Sequence, residues 1–272
     1  MTIMKLRLGV RGMMWLTLVI MMWGIISCRT QEEKRLEEVL SLPLANKEEL
    51  QKVLDHYKDD SLKYQAVCFL IRNMPFHAGY EGNALKHYYQ YFDIYAQGKL
   101  GPHEVIDSLK ENSFSVSQLK RIEDIANIDS SLLVQNVDWA FKVWREQPWG
   151  KNVSFDNFCE FVLPYRLGDE PLGFWREDIY KRYNPILDSI RLLPQAQDPL
   201  VAAKVLMDSL VVEQSHFTGL FPAGPHLGPS VVSWRAGSCR EFADLVVYVM
   251  RALGIPCGTD YMAMRGDNNV PH

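Results

Sequence analysis

The chain has 272 residues, 47% of them hydrophobic and 23% charged, with a formal net charge of −4. That length and apolar share suffice for one large domain or two small ones, each able to bury a core. No basic block of the kind that tracks a phosphate backbone is present, which argues against nucleic acid as a partner.

The first stretch, MTIMKLRLGVRGMMWLTLVIMMWGIISC, carries Lys5, Arg7 and Arg11 and then an apolar run from Met13 to Ile26. A charged leader before an apolar run too short for a comfortable membrane span predicts a secretion signal over residues 1–27. An uncleaved signal anchor is the alternative. Ile25-Ile26-Ser27-Cys28 resembles a bacterial lipobox, with Ile25 where leucine is commonest. The resemblance implies that Cys28 is acylated and becomes the first mature residue. The protein is then expected to be exported and lipid-anchored to the envelope of a Gram-negative bacterium, at the outer membrane or cell surface. The polar residues 29–40 suit a tether or a surface helix.

From Glu32 to Val212 the pattern is almost wholly helical. SLKYQAVCFLIRNM places Leu62, Ala66, Phe69, Leu70 and Met74 on one face, with Ser61 as N-cap. Further helices are predicted near 82–97, 102–111, 130–146, 154–162 and 198–212. Ser154 opens one of them, and Asp198 caps another with Pro199 at its first position. Trp139, Trp144, Trp149 and Trp175 fall in this half, where large aromatics serve as packing residues or, less often, as a sugar-stacking platform. Cys68 and Cys159 lie inside apolar helical patterns and are expected as buried thiols.

Composition changes at HFTGLFPAGPHLGPSVVSWRAGS, a Gly- and Pro-rich loop. After it, Phe242, Leu245, Val246, Val249, Met250 and Leu253 follow a helical period, ended by Gly254 and Pro256. Ser238 and Glu241 fit a capping box, which makes Cys239 the first helical residue. Counting back three from Phe242 places Cys239 on the buried apolar face. The unpaired amides and macrodipole of a first turn favour a thiolate and can donate to an oxyanion. A small residue filling a gap behind the glycine loop is the other reading of Cys239.

A nucleophilic cysteine needs a base. The helix runs on the order of 22 Å; CGTDYMAMR is predicted to return as a strand, GDNN to turn, and VPH to run back, which brings His272 level with Cys239. His216 and His226, in the loop, are weaker rivals. Arg265-Gly266-Asp267 is explained by turn chemistry rather than adhesion. No metal or nucleotide motif occurs, so no cofactor is expected.

GSCREFADLVVYVMRALGIPCG followed by a strand and VPH resembles the core of the transglutaminase-like superfamily, the papain-related cysteine enzymes. FLIRNMPFH and FCEFVLPYRLGDEPLGFWRE are similar to helical regions that precede this core in some secreted bacterial lipoproteins. The resemblance implies an α+β fold: a large helical region over 28–212, then, over 213–272, an incomplete transglutaminase-like (papain-like) core of one helix packed on antiparallel strands. It implies Cys239 as nucleophile and His272 as general base. Ser238, Arg240 and Trp234 are candidates for the oxyanion site or acyl pocket, Trp234 serving equally as an anchor of the loop. The family's Asp or Asn on the next strand has no counterpart before the chain stops at His272, so a fragment with impaired activity is expected. The implied activity is acyl transfer or hydrolysis of amide or peptide bonds in a peptide or protein substrate. The rival is a non-catalytic surface lipoprotein that binds peptide or glycan.

Overall fold

The computed structural model of the chain describes residues 31–110, 114–212 and 217–262. The leader over 1–27, Cys28, His216, the Arg265-Gly266-Asp267 turn and His272 lie outside the described residues. The fold is α+β and strongly helical, with twelve helices and a single two-stranded antiparallel sheet among the described residues.

The first helices are α1 (31–40), α2 (Lys47–His56) and α3 (Ser61–Asn73). The cap of α3 is Asp60, not Ser61: its extended backbone lets the carboxylate accept from the Lys63 amide at 3.2 Å. The stronger capping group one residue earlier therefore draws Ser61 into the first turn. Strand β1 (Ala78–Glu81) pairs with β2 (Lys120–Glu123) in the register Ala78↔Glu123, and between them lie α4 (Asn83–Ala96) and α5 (Pro102–Ser108).

Then follow α6 (Asp124–Asn127), α7 (Ser130–Glu146), α8 (Phe155–Phe161), α9 (Arg176–Tyr183) and α10 (Pro199–Leu210). Ser154 and Asp198 cap α8 and α10 as their sequences predict, accepting from the Asn157 and Leu200 amides. The short α11 (Val231–Trp234) leads into α12 (Cys239–Ala252).

Two apolar clusters hold these elements. One gathers Leu50, Ile71, Leu133, Phe141 and Phe158 from α2, α3, α7 and α8. The other gathers Tyr88, Phe92, Leu206, Val231, Leu245 and Val249 from α4, α10, α11 and α12. Each such side chain contributes roughly 1.5–3 kcal/mol when fully buried. Trp149 joins the second cluster with its indole N–H donating to the Leu253 carbonyl at 2.8 Å, so the polar end of a fully buried ring is satisfied.

Helix α12 packs on helices, chiefly α9, with α7, α10 and α11 around it. The strand predicted to return beside it is not formed over 255–262, which carries no regular structure. Among the described residues no strand lies alongside to pair with it; the Cys257 amide reaches only the Phe161 carbonyl, at 3.5 Å.

Candidate functional site

The site begins with the turn that launches α12. Ser238 is extended, its hydroxyl oxygen accepts from the Arg240 amide at 3.3 Å, and its own N–H donates to Glu241 Oε2 at 2.7 Å. This is the capping box that the sequence predicts, and it leaves Cys239 as the first helical residue. Gly237 precedes it at φ +133°, and a Cβ there would lie 2.5 Å from the Glu241 side chain, so no larger residue fits. The Gly237 carbonyl accepts from the Thr218 and Gly219 amides, which ties the approach to Cys239 to residues 217–219.

Cys239 is exposed, contrary to the buried position that counting back from Phe242 predicts. The reason lies further down the helix. Glu241, Asp244 and Arg251 are buried alongside Leu245, Tyr248 and Ala252. A reading that assigns the buried face from apolar residues alone is therefore turned by roughly a third of the helix circumference. Cys239 instead heads a strip, with Phe242, Ala243 and Val246, that is only half covered. Phe242 meets Phe217 edge-on, with ring centroids 5.3 Å apart.

The buried charges are each answered. Arg240 donates from Nε to Glu241 at 2.7 Å and from Nη1 to the Gly224 carbonyl at 2.9 Å, clamping the Gly/Pro loop to the helix. Burial opposes ionisation of Glu241, but the Ser238 hydroxyl and the Arg240 charge outweigh it and hold the carboxyl below its usual range. Asp244 meets His226 through Nδ1 at 2.7 Å, and the His226 amide donates to Asp169 Oδ1 at 2.8 Å. The His226 ring lies directly over Gly168, where a Cβ would come within 2.4 Å of it. Burial disfavours the imidazolium, yet the hydrogen bond and charge of Asp244 prevail and raise the His226 pKa. Burial raises Asp244 as well, against the pull of His226.

His226 is thus committed to Asp244, which stands five residues beyond Cys239. That is about 7.5 Å along the axis and roughly 140° around it. His272 lies outside the described residues, and so does Cys28. Of the remaining candidates, Ser238 and Arg240 stand beside the thiol in the first turn. Trp234 is half-buried, stacked on Phe92 at 5.5 Å, with its indole N–H donating to Asp93 Oδ1 at 2.7 Å.

Behind the helix lies a polar hub that sequence reading did not find. Glu170 accepts from the Leu167 and Gly168 amides and from the Tyr248 hydroxyl, at 2.7, 2.8 and 2.7 Å. Arg166 donates to Asp124 at 2.6 Å and to the carbonyls of Ala78, Gly168 and Glu170. The YRLGDEP stretch therefore wraps two buried charges in backbone partners. The available signal was a dense run of charged and Gly residues between two helices whose neighbours are aromatic.

Cys68 and Cys159 are buried, as predicted, and burial pushes the Cys159 thiol up to about 12. Among the described residues no group of three or more His, Cys, Asp or Glu side chains is placed to hold a metal ion. No described helix is long and apolar enough to cross a membrane. Comparison with protein-family models, with curated proteins and with solved structures returned no match.

Proposed function

We propose that this chain is a transglutaminase-like cysteine acyl-transfer protein in which Cys239 is the nucleophile. The observation that carries the reading is an exposed thiol at the first position of a capped 14-residue helix. The half-covered strip of Phe242, Ala243 and Val246 beside it offers apolar surface to an acyl group. The thiolate attacks an amide carbonyl, the C–N bond breaks, and the amine leaves with the proton that the imidazolium of His272 returns to it. Water or a second amine then attacks the thioester, releasing acid or a new amide and restoring the thiol. His272 takes its role by the family resemblance. Acylation of Cys28 would hold the protein at the envelope membrane.

The test is acylation itself. Treated with p-nitrophenyl acetate at neutral pH, the protein is expected to release a burst of nitrophenol and to carry one acetyl group on the Cys239 peptide. Iodoacetamide should modify Cys239 before the buried Cys68 and Cys159. A burst that persists in Cys239→Ala, or a Cys239 inert to both reagents, rejects the nucleophile and favours a non-catalytic peptide- or glycan-binding lipoprotein.

A further inference from the structure

Between α3 and β1 the chain turns at Met74-Pro75-Phe76-His77, where the His77 amide donates to the Met74 carbonyl at 3.0 Å. Phe76 stands there at φ +76°, in the left-handed region. A proline followed by a left-handed residue is the type II pattern, whose second central place asks for glycine or asparagine. A bulky aromatic in that place is an outlier and costs conformational energy. Burial does not offset the cost, because Phe76 is 89% exposed. The strained turn is held from outside: Arg121 donates to the Phe76 carbonyl at 3.2 Å, and the Asp124 amide donates to the His77 carbonyl at 2.9 Å. A ring that is strained, exposed and of no use to the core points to a partner.

A hollow of about 330 Å³ lies against this ring, with Val39, Leu42 and Pro75 as its apolar walls. Arg72 and Asn73 also line it, and both are answered within the chain. Arg72 pairs with Glu32 at 3.4 Å, and Asn73 donates to the Phe69 carbonyl at 2.9 Å. Arg35 and Glu38, on the same face of α1 as Val39, complete the lining. Both are exposed, and among the described residues neither side chain makes an ion pair or a hydrogen bond.

We propose that this surface joins two copies of the chain about a two-fold axis, the Phe76 ring of each copy entering the hollow of the other. An isologous contact requires one patch to carry both halves of every fit. This patch carries a projecting ring beside a hollow, and an unpaired cation one helical turn from an unpaired anion. Antiparallel α1 helices facing across the axis bring Arg35 opposite Glu38 of the second copy, while the ring meets Val39, Leu42 and Pro75. A lipid surface suits the patch less well: its anionic headgroups would answer Arg35 and repel Glu38 beside it. The association goes beyond the acyl-transfer reading and does not depend on it.

Sedimentation velocity of the full chain at rising concentration should show a monomer–dimer equilibrium. Phe76→Gly removes the ring and suits the left-handed backbone, so it should weaken the dimer about tenfold or more. The urea midpoint of the dilute monomer should stay equal or rise in that variant. Arg35→Glu and Glu38→Arg should each weaken association severalfold with unchanged circular dichroism. The two together should restore it, because the pairs across the axis are then reversed rather than lost. A chain that stays monomeric at every concentration overturns the proposal, and Phe76-dependent sedimentation of that monomer with phosphatidylglycerol vesicles would assign the patch to a lipid surface instead. A dimer unmoved by Phe76→Gly or by the single charge reversals, or one that the double reversal fails to restore, overturns it as well.

Discussion

Cys239 owes its position to its neighbours in the chain and its exposure to the face that the rest of α12 buries. The cap is local: Ser238 and Glu241 exchange hydrogen bonds over three residues, and that pattern can be read from four letters. We predict that Ser238→Ala lowers stability by about 1 kcal/mol in urea titration, the usual loss for a removed cap. It should also slow acetylation of Cys239, because the first turn would fray. A variant with unchanged urea midpoint would show that the Gly237 bridge to residues 217–219 fixes the turn without the cap. What the letters could not tell was which way the thiol faces. Glu241 and Asp244 read as solvent-facing charges, yet both are buried, since Arg240 and His226 answer them.

At the scale of elements, the Gly/Pro loop is a fastening rather than a linker. Arg240 holds its Gly224 carbonyl, and His226 plugs between Gly168 and Asp244. Two further charges act on the ring: Asp169, which also accepts from the His226 amide, favours the imidazolium, and Arg240 opposes it. The raised pKa of His226 makes this fastening pH-dependent. Its contribution is complete below about 6.5, the free histidine value, and is lost as pH rises through the raised folded value. The upward shift of Asp244 has the same sign, because a raised carboxyl also favours the folded state more strongly at low pH. Thermal melts from pH 6 to 9 should therefore show the native protein losing stability relative to a His226→Gln, Asp244→Asn double variant. Parallel melting curves for the two proteins would rule the fastening out as a titrating device. Gly168→Ala should mimic its loss at every pH, since the added methyl collides with the ring.

Across the whole molecule, the buried hub of Asp124, Arg166 and Glu170 joins the sheet, the loop after α8 and helix α12. Arg166 reaches β1 through the Ala78 carbonyl and α6 through Asp124, while Arg251 of α12 donates to the Arg166 carbonyl at 3.1 Å. Asp124 is 1% exposed, and burial raises its pKa against the pull of Arg166. Removing one partner of such a pair leaves a buried charge unanswered. Asp124→Ala is accordingly expected to cost about 3–5 kcal/mol in denaturant unfolding. A loss under about 1 kcal/mol would mean that the carbonyl cage alone satisfies Arg166.

Local chemistry in the sequence determined most of the helices, the caps at Ser154, Asp198 and Ser238, the burial of Cys68 and Cys159, and the place of Cys239 at a helix start. These follow from interactions over three or four residues, or from strongly apolar periods, and need no distant partner. Tertiary structure alone decided the face that Cys239 shows, the pairing of His226 with Asp244 and the hub around Arg166. The pairing joins positions 18 apart, and the hub joins Arg166 to Asp124 across 42 positions. A buried charge is indistinguishable from a solvated one until that counterpart is known.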